Sequence, residues 1–263
     1  MLVLGIGAIG ARADVQQERP SNAADPGKVN EETLAPRTSL PPPGFLKGCL
    51  ALIGQKRYEQ ARQLLAPVVA DHPGWARAHF YLALTYHKEN RYERARELFQ
   101  RALQLDPQEH SVRPFYGWCL YYLGELEDSR EMFESFLAVK PDYPDAIFAL
   151  GLIDFDDDDI DSARRRLQKA VELARQRQDQ PTEAKARARL ADVLIRTGEL
   201  GPARDELVRS IELNPDNYET YFKLSRVLER LGDAEGAEAA RRSHHRVRQR
   251  TRPAGPHRPK EAP

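Results

Sequence analysis

The sequence predicts an all-α solenoid of about six antiparallel helix hairpins, and three observations carry that prediction. Prolines fall at Pro73, Pro107 and Pro141, spaced by 34 residues, and again at Pro215. Aligned on them, small residues form two columns: Ala61, Ala95, Ser129, Ala163, Ala203, Ala237, and, twelve residues earlier, Cys49, Ala83, Gly117, Gly151, Ala191, Ser225. Large apolar residues fill others in the same phase, among them Leu82, Tyr116, Leu150, Leu190, Leu224, then Leu52, Tyr86, Leu120, Leu194, Leu228, and Leu65, Phe99, Phe133, Leu167, Leu207. A period of this length holds two short helices and a turn. Small side chains let the two backbones approach where they cross, and the large ones fill the space between neighbouring units. One hairpin cannot bury its own apolar face, so stacking supplies the core and the end units must be modified.

From the start of the chain, Leu2 to Ala11 reads as the apolar region of a secretory signal, followed by a small-x-small site at Ala11-Arg12-Ala13 with cleavage before Asp14. That reading expects export, to a periplasmic or secreted location. A cytoplasmic location is the alternative, since no basic residue precedes the apolar run. Gly5 to Gly10 also matches the glycine spacing of a dinucleotide fingerprint, but Pro20 and a polar stretch follow where that motif needs a packed helix. Residues 14–43 lack periodicity, gather Pro, Asn, Asp, Gln and Glu, and read as a disordered linker. Hairpin units are expected near 44–75, 76–109, 110–143, 144–177, 184–217 and 218–250, which together make a solenoid over 44–250. Turn residues suit the joints: Gln55-Lys56-Arg57, Glu89-Asn90-Arg91, Gly124, Gly198 and Gly232.

Two departures break the pattern. Arg175 stands at the proline position of the fourth unit, and roughly six extra residues, about Gln176 to Pro181, are expected to extend a helix there. Asp154 replaces a large apolar residue and opens a run of aspartates that ends at Asp161. In the last unit Arg241 and His244 take apolar and small positions, as a solvent-facing end requires.

Composition sets limits on function. The chain has 263 residues, 41% hydrophobic and 30% charged, with 40 basic residues against 40 acidic. Such a balance gives no global attraction to nucleic acid or anionic membranes. From Arg241 onward, however, eight Lys or Arg stand against Glu261 alone, a local +7 that continues into a basic tail over 251–263. Nucleic-acid or anionic-surface binding through this tail is the alternative function. Pro253, Pro256 and Pro259 and the lack of interleaved aromatics speak against it. No apolar run reaches the roughly 18 residues of a membrane helix.

No catalytic, cofactor or metal site is expected. None of the seven histidines forms an H-E-x-x-H or Cys-His spacing, and His79 reads as a core histidine. Cys49 and Cys119 are too far apart for a metal or redox pair motif. A calcium loop opening at Asp154 would need Gly and Glu where Asp159 and Arg165 stand. The aspartate run reads instead as a solvated turn that caps the helix beginning near Asp161.

The columns resemble the tetratricopeptide repeat family, best seen in Trp75 to Pro107, where Leu82-Ala83, Tyr86, Tyr92, Ala95, Phe99, Ala102 and Pro107 fill the family pattern and His79 replaces its usual Trp. The resemblance implies a right-handed superhelix whose concave face binds a protein or peptide partner, as an adaptor, scaffold or assembly factor. It further implies that the second, fifth, ninth, twelfth and thirteenth residues of each first helix line the groove. Carried over, these give Phe80, Leu84, His87, Trp118, Tyr121, Tyr122, Phe148, Leu152 and Phe155, and towards the C-terminal end Lys185, Asp192, Arg196, Glu219, Arg226, Glu229 and Arg230. The expected partner segment has hydrophobic side chains and an acidic flank. The family's carboxylate clamp is not carried over, because Leu46 and Leu50 stand at its places.

Overall fold

The computed structural model describes residues 44–251. The signal, linker and distal-tail expectations lie outside them. Twelve helices fill the described residues: α1 (Phe45–Gly54), α2 (Tyr58–Asp71), α3 (Ala76–His87), α4 (Tyr92–Leu105), α5 (Val112–Leu123), α6 (Leu126–Leu137), α7 (Pro144–Asp156), α8 (Ile160–Gln176), α9 (Gln180–Arg196), α10 (Leu200–Leu213), α11 (Tyr218–Arg230) and α12 (Ala234–Thr251). They pair as six hairpins, and each helix packs on the next in chain order. The first helices also touch one another, α1 on α3, α3 on α5, α5 on α7 and α7 on α9, so they form the inner layer and the second helices the outer one. This is an all-α solenoid of stacked hairpins.

The columns take the places their sizes require. Ala61, Ala95, Ser129, Ala163, Ala203 and Ala237 are fully buried at the crossings, as are Leu65, Phe99, Phe133, Leu167 and Leu207 beside them. A Cβ on Gly117 would stand 2.9 Å from the Phe133 ring, and one on Gly151 would stand 2.9 Å from Leu167. Across the third hairpin, Ser129 Oγ donates to the Gly117 carbonyl at 2.8 Å, which uses the small column as a polar staple. Helix α7 is apolar around nearly its whole circumference and buries residues from Pro144 to Asp154, as befits a helix packed on all sides.

Each hairpin turns through one left-handed residue. Gly124, Gly198 and Gly232 do so at φ of 79°, 84° and 81°, and Lys56, Asn90 and Asp158 occupy the equivalent places at 60°, 60° and 66°. Capping marks several helix starts: Asp159, Asp179 and Asn217 accept from the amides of Ser162, Thr182 and Glu219. The insertion after Arg175 lengthens two helices, since α8 and α9 each run 17 residues. Gln178, at φ 57°, turns the chain between them. Helix α9 thus begins one turn ahead of the unit start at 184 read from the repeat spacing.

The aspartate run is not a solvated turn throughout. Asp154 is 2% exposed, and its carboxylate receives Arg130 at 2.8 Å and Arg166 at 2.7 Å. The apolar column is broken there because two arginines from the outer helices α6 and α8 reach in to neutralise the charge. Asp157 binds Arg130, Asp158 binds Arg196, and Asp159 caps α8, which starts at Ile160. At the far end His244 is not simply solvent-facing. Its Nδ1 lies 2.9 Å from the Tyr218 carbonyl, and the ring packs on Tyr218 and Phe222.

Candidate functional site: a groove on the inner layer

A cavity of about 480 Å³ opens on the inner layer between the second and sixth hairpins. The C-terminal ends of α3 and α5 place His87, Trp118, Tyr121 and Tyr122 in its wall, and α7 adds Phe148 and Leu152. The repeat period brings these together because first-helix positions recur on one side of the stack.

The aromatics form one connected surface. Tyr122 stacks on Tyr92 with centroids 4.7 Å apart, and Trp118 lies 6.0 Å from Tyr122 and from Phe148. Their polar edges are already engaged. Trp118 Nε1 donates to Asp145 at 2.8 Å, and Tyr121 Oη donates to Asp156 at 2.8 Å. Burial, followed by that carboxylate, pushes the Tyr121 hydroxyl up to about 12, so it remains a neutral donor. Tyr122 is 54% exposed and is the most open ring of the group. His87 differs, because its Nδ1 is buried without a hydrogen-bond partner. Burial, helped by Lys88, lowers this imidazole to about 4, and it is uncharged at neutral pH.

On the opposite wall α9 contributes Lys185, Ala188 and Arg189, and α11 contributes Glu219, Thr220 and Lys223. Asp192 holds Lys223 at 2.6 Å and Arg189 at 3.3 Å. Lys88 and Lys185 have no ion-pair partner among the described residues.

Of the groove residues carried over from the sequence, His87, Trp118, Tyr121, Tyr122, Phe148, Leu152, Lys185 and Glu219 line this cavity. Phe80 and Leu84 lie below it in the core, 6% and 5% exposed, with Phe80 against Phe99 and Phe115. Phe155 is covered by Arg196, whose guanidinium sits 5.7 Å above the ring and also binds Asp158. Arg226 lies over Phe222, and Arg230 is exposed outside the cavity. The cations that do face the cavity include Arg189 and Lys223, each at the sixth place of its unit's first helix, which the transferred set omits. Their signal in the sequence was a basic residue at that place in two consecutive units.

Chemistry elsewhere is quiet. Both cysteines are free and buried, and burial raises the Cys119 thiol to about 12 while it donates to the Tyr92 carbonyl. His79 is buried with Nδ1 3.1 Å from the Trp75 carbonyl. Among the described residues no group of three His, Cys, Asp or Glu could hold a metal ion, and no helix is long and apolar enough to cross a membrane. In the basic stretch Arg241, Arg242 and Arg250 are engaged by Glu229, Glu238 and Asp216.

Stacked hairpins with a groove along the first helices define a repeat solenoid built to present a concave surface. The chain belongs to the tetratricopeptide repeat family, whose models match residues 49–110, 117–176, 86–146 and 207–239. It is 30% identical over 154 residues to the protein CTR9 homolog of Arabidopsis thaliana, spanning 56% of this chain and 14% of that protein. Among solved structures it resembles the Cut9–Hcn1 hetero-tetramer of APC/C, with a TM-score of 0.69 and 18% identity over 77% of this chain and 39% of that one. It also resembles Pseudomonas aeruginosa pilF (TM-score 0.65, 20% identity, 80% and 92% coverage) and the type IV pilus biogenesis factor PilW (0.66, 19%, 78% and 91%). At these identities the structures establish the shared fold.

Proposed function

We propose that this solenoid is a non-enzymatic protein-interaction module, an adaptor, scaffold or assembly factor, that holds a segment of a partner protein in the inner groove. One observation carries the reading: a concave cavity of about 480 Å³ presents Trp118, Tyr121 and Tyr122 while carboxylates of the same chain engage the indole N–H and the Tyr121 hydroxyl. What remains for a partner is aromatic surface, the kind that anchors peptide segments. Among proteins of similar fold, Cut9–Hcn1 is a hetero-tetramer of APC/C, PilW is a type IV pilus biogenesis factor, and YrrB is a tetratricopeptide repeat protein with an unusual peptide-binding site.

The test compares capture of partners from native extract by the natural chain and by a Trp118→Ala, Leu152→Ala variant shown by circular dichroism to be folded. A protein lost only with the variant is the expected result. Identical catches would move function to the outer face or the basic tail. For location, the apolar residues 2–11 and the small-x-small site support export. N-terminal sequencing of the cellular protein should then find Asp14 first, and an intact Met1 would overturn it.

A further inference from the structure

The charges around the groove separate into those already satisfied and those left open, and this sorting indicates the order of residues in the bound segment. Four cations line the cavity: Lys88, Lys185, Arg189 and Lys223. Asp192 is shared by Arg189 and Lys223, so each of these two already has an internal partner, although one carboxylate offsets only one of their two charges. Lys88 and Lys185 carry no ion pair among the described residues. They are also far apart in the stack. Lys88 follows the end of α3 and Lys185 lies in the first turns of α9, while α5 and α7, which supply Trp118, Tyr122, Phe148 and Leu152, come between them in the sequence of packed inner helices. The aromatic floor is therefore flanked on both sides by an ammonium group without an ion pair; of the two carboxylates that also line the cavity, Asp145 accepts from the Trp118 indole and Glu219 stands in the first turn of α11.

Resting on the groove reading above, we infer that the bound partner segment is acidic–apolar–acidic: a bulky apolar or aromatic side chain on the Trp118–Tyr122 surface, with one carboxylate reaching Lys88 and another reaching Lys185. The segment crosses the inner helices. Inner-helix spacings of roughly 8–10 Å correspond to about six to eight extended residues between the two carboxylates. Ammonium groups in water at a rim contribute orientation and discrimination more than raw affinity, so a segment with the same apolar centre and basic flanks is repelled at both ends.

A full-length Trp75→Phe variant leaves Trp118 as the sole tryptophan and an intrinsic fluorescence reporter for the groove. The probes are two synthetic peptides with the same central Phe-Leu pair, one flanked on both sides by Asp and Glu, the other by Lys at those places. The acidic peptide should perturb Trp118 with roughly tenfold higher affinity than the basic one, the amount that two or three exposed ion pairs supply, and the preference should shrink with added salt. Lys88→Glu and Lys185→Glu should each weaken the acidic peptide several-fold, and the double variant should prefer the basic one. A loss confined to one of the two lysines overturns the two-sided arrangement. Equal binding of both peptides overturns the charge inference but leaves the groove as a binding site. If neither peptide perturbs Trp118, both the groove reading and this inference fall.

Discussion

At the residue scale, three positions show how tightly packing constrains this chain. Gly117 has no room for a Cβ beside Phe133, so Gly117→Ala should destabilise the fold by about 1–3 kcal/mol despite the higher helix propensity of alanine. Urea denaturation followed by circular dichroism measures it. Lys56 adopts a left-handed conformation where other hairpins use glycine, so Lys56→Gly should raise the thermal midpoint, with a gain of about 0.5–1 kcal/mol. His87 makes stability depend on pH. Its folded pKa of about 4 lies below the ordinary histidine value, so between those values the unfolded chain binds more protons and stability falls as pH falls. That loss, on the order of 3 kcal/mol when complete, saturates below pH 4 and should vanish in His87→Phe when thermal midpoints are compared from pH 7 to 4.

Helices and hairpins are joined by electrostatics as well as packing. Arg62, Arg96, Arg130 and Arg164 recur every 34 residues after the small column, and each reaches the turn of the following hairpin. Their partners are Glu89, Glu125, Asp157 and Glu199 at 2.5–2.7 Å. These rungs are partly exposed, so Arg96→Ala should leave the denaturation midpoint nearly unchanged. The fourth hairpin differs because Arg130 and Arg166 also neutralise buried Asp154. Asp154→Ala leaves both arginines without that carboxylate and should cost about 3 kcal/mol, whereas Asp154→Leu combined with Arg130→Met and Arg166→Met should return close to the stability of the natural chain. If the triple variant is as unstable as the single, apolar packing cannot replace the network.

At the scale of the molecule, stability is a sum of hairpins and the interfaces between neighbours, since the main helix contacts among the described residues run between adjacent units. Hydrogen exchange should therefore be slowest in α7, whose backbone is enclosed by α6, α8 and α9, and fastest in α1 and α12. Uniform protection along the stack would show that the solenoid opens as one unit.

Period and residue size determined the fold on their own. A 34-residue recurrence of Ala, Gly and Ser against Leu and Phe has one economical solution, hairpins crossing at the small residues, and the resemblance added the family and the inner face. Of the positions that the resemblance implied for the groove, His87, Trp118, Tyr121, Tyr122, Phe148, Leu152, Lys185 and Glu219 fall on one inner-layer cavity, and Phe80, Leu84 and Phe155 do not. Folding decided the rest, because it depends on distances between units rather than on order within them. Only in the folded chain do Arg130 and Arg166 meet Asp154, Arg196 covers Phe155, and Asp192 claims Arg189 and Lys223 while Lys88 and Lys185 stay open. Charges act through space, and a repeat pattern records which residue types recur, not which of them meet.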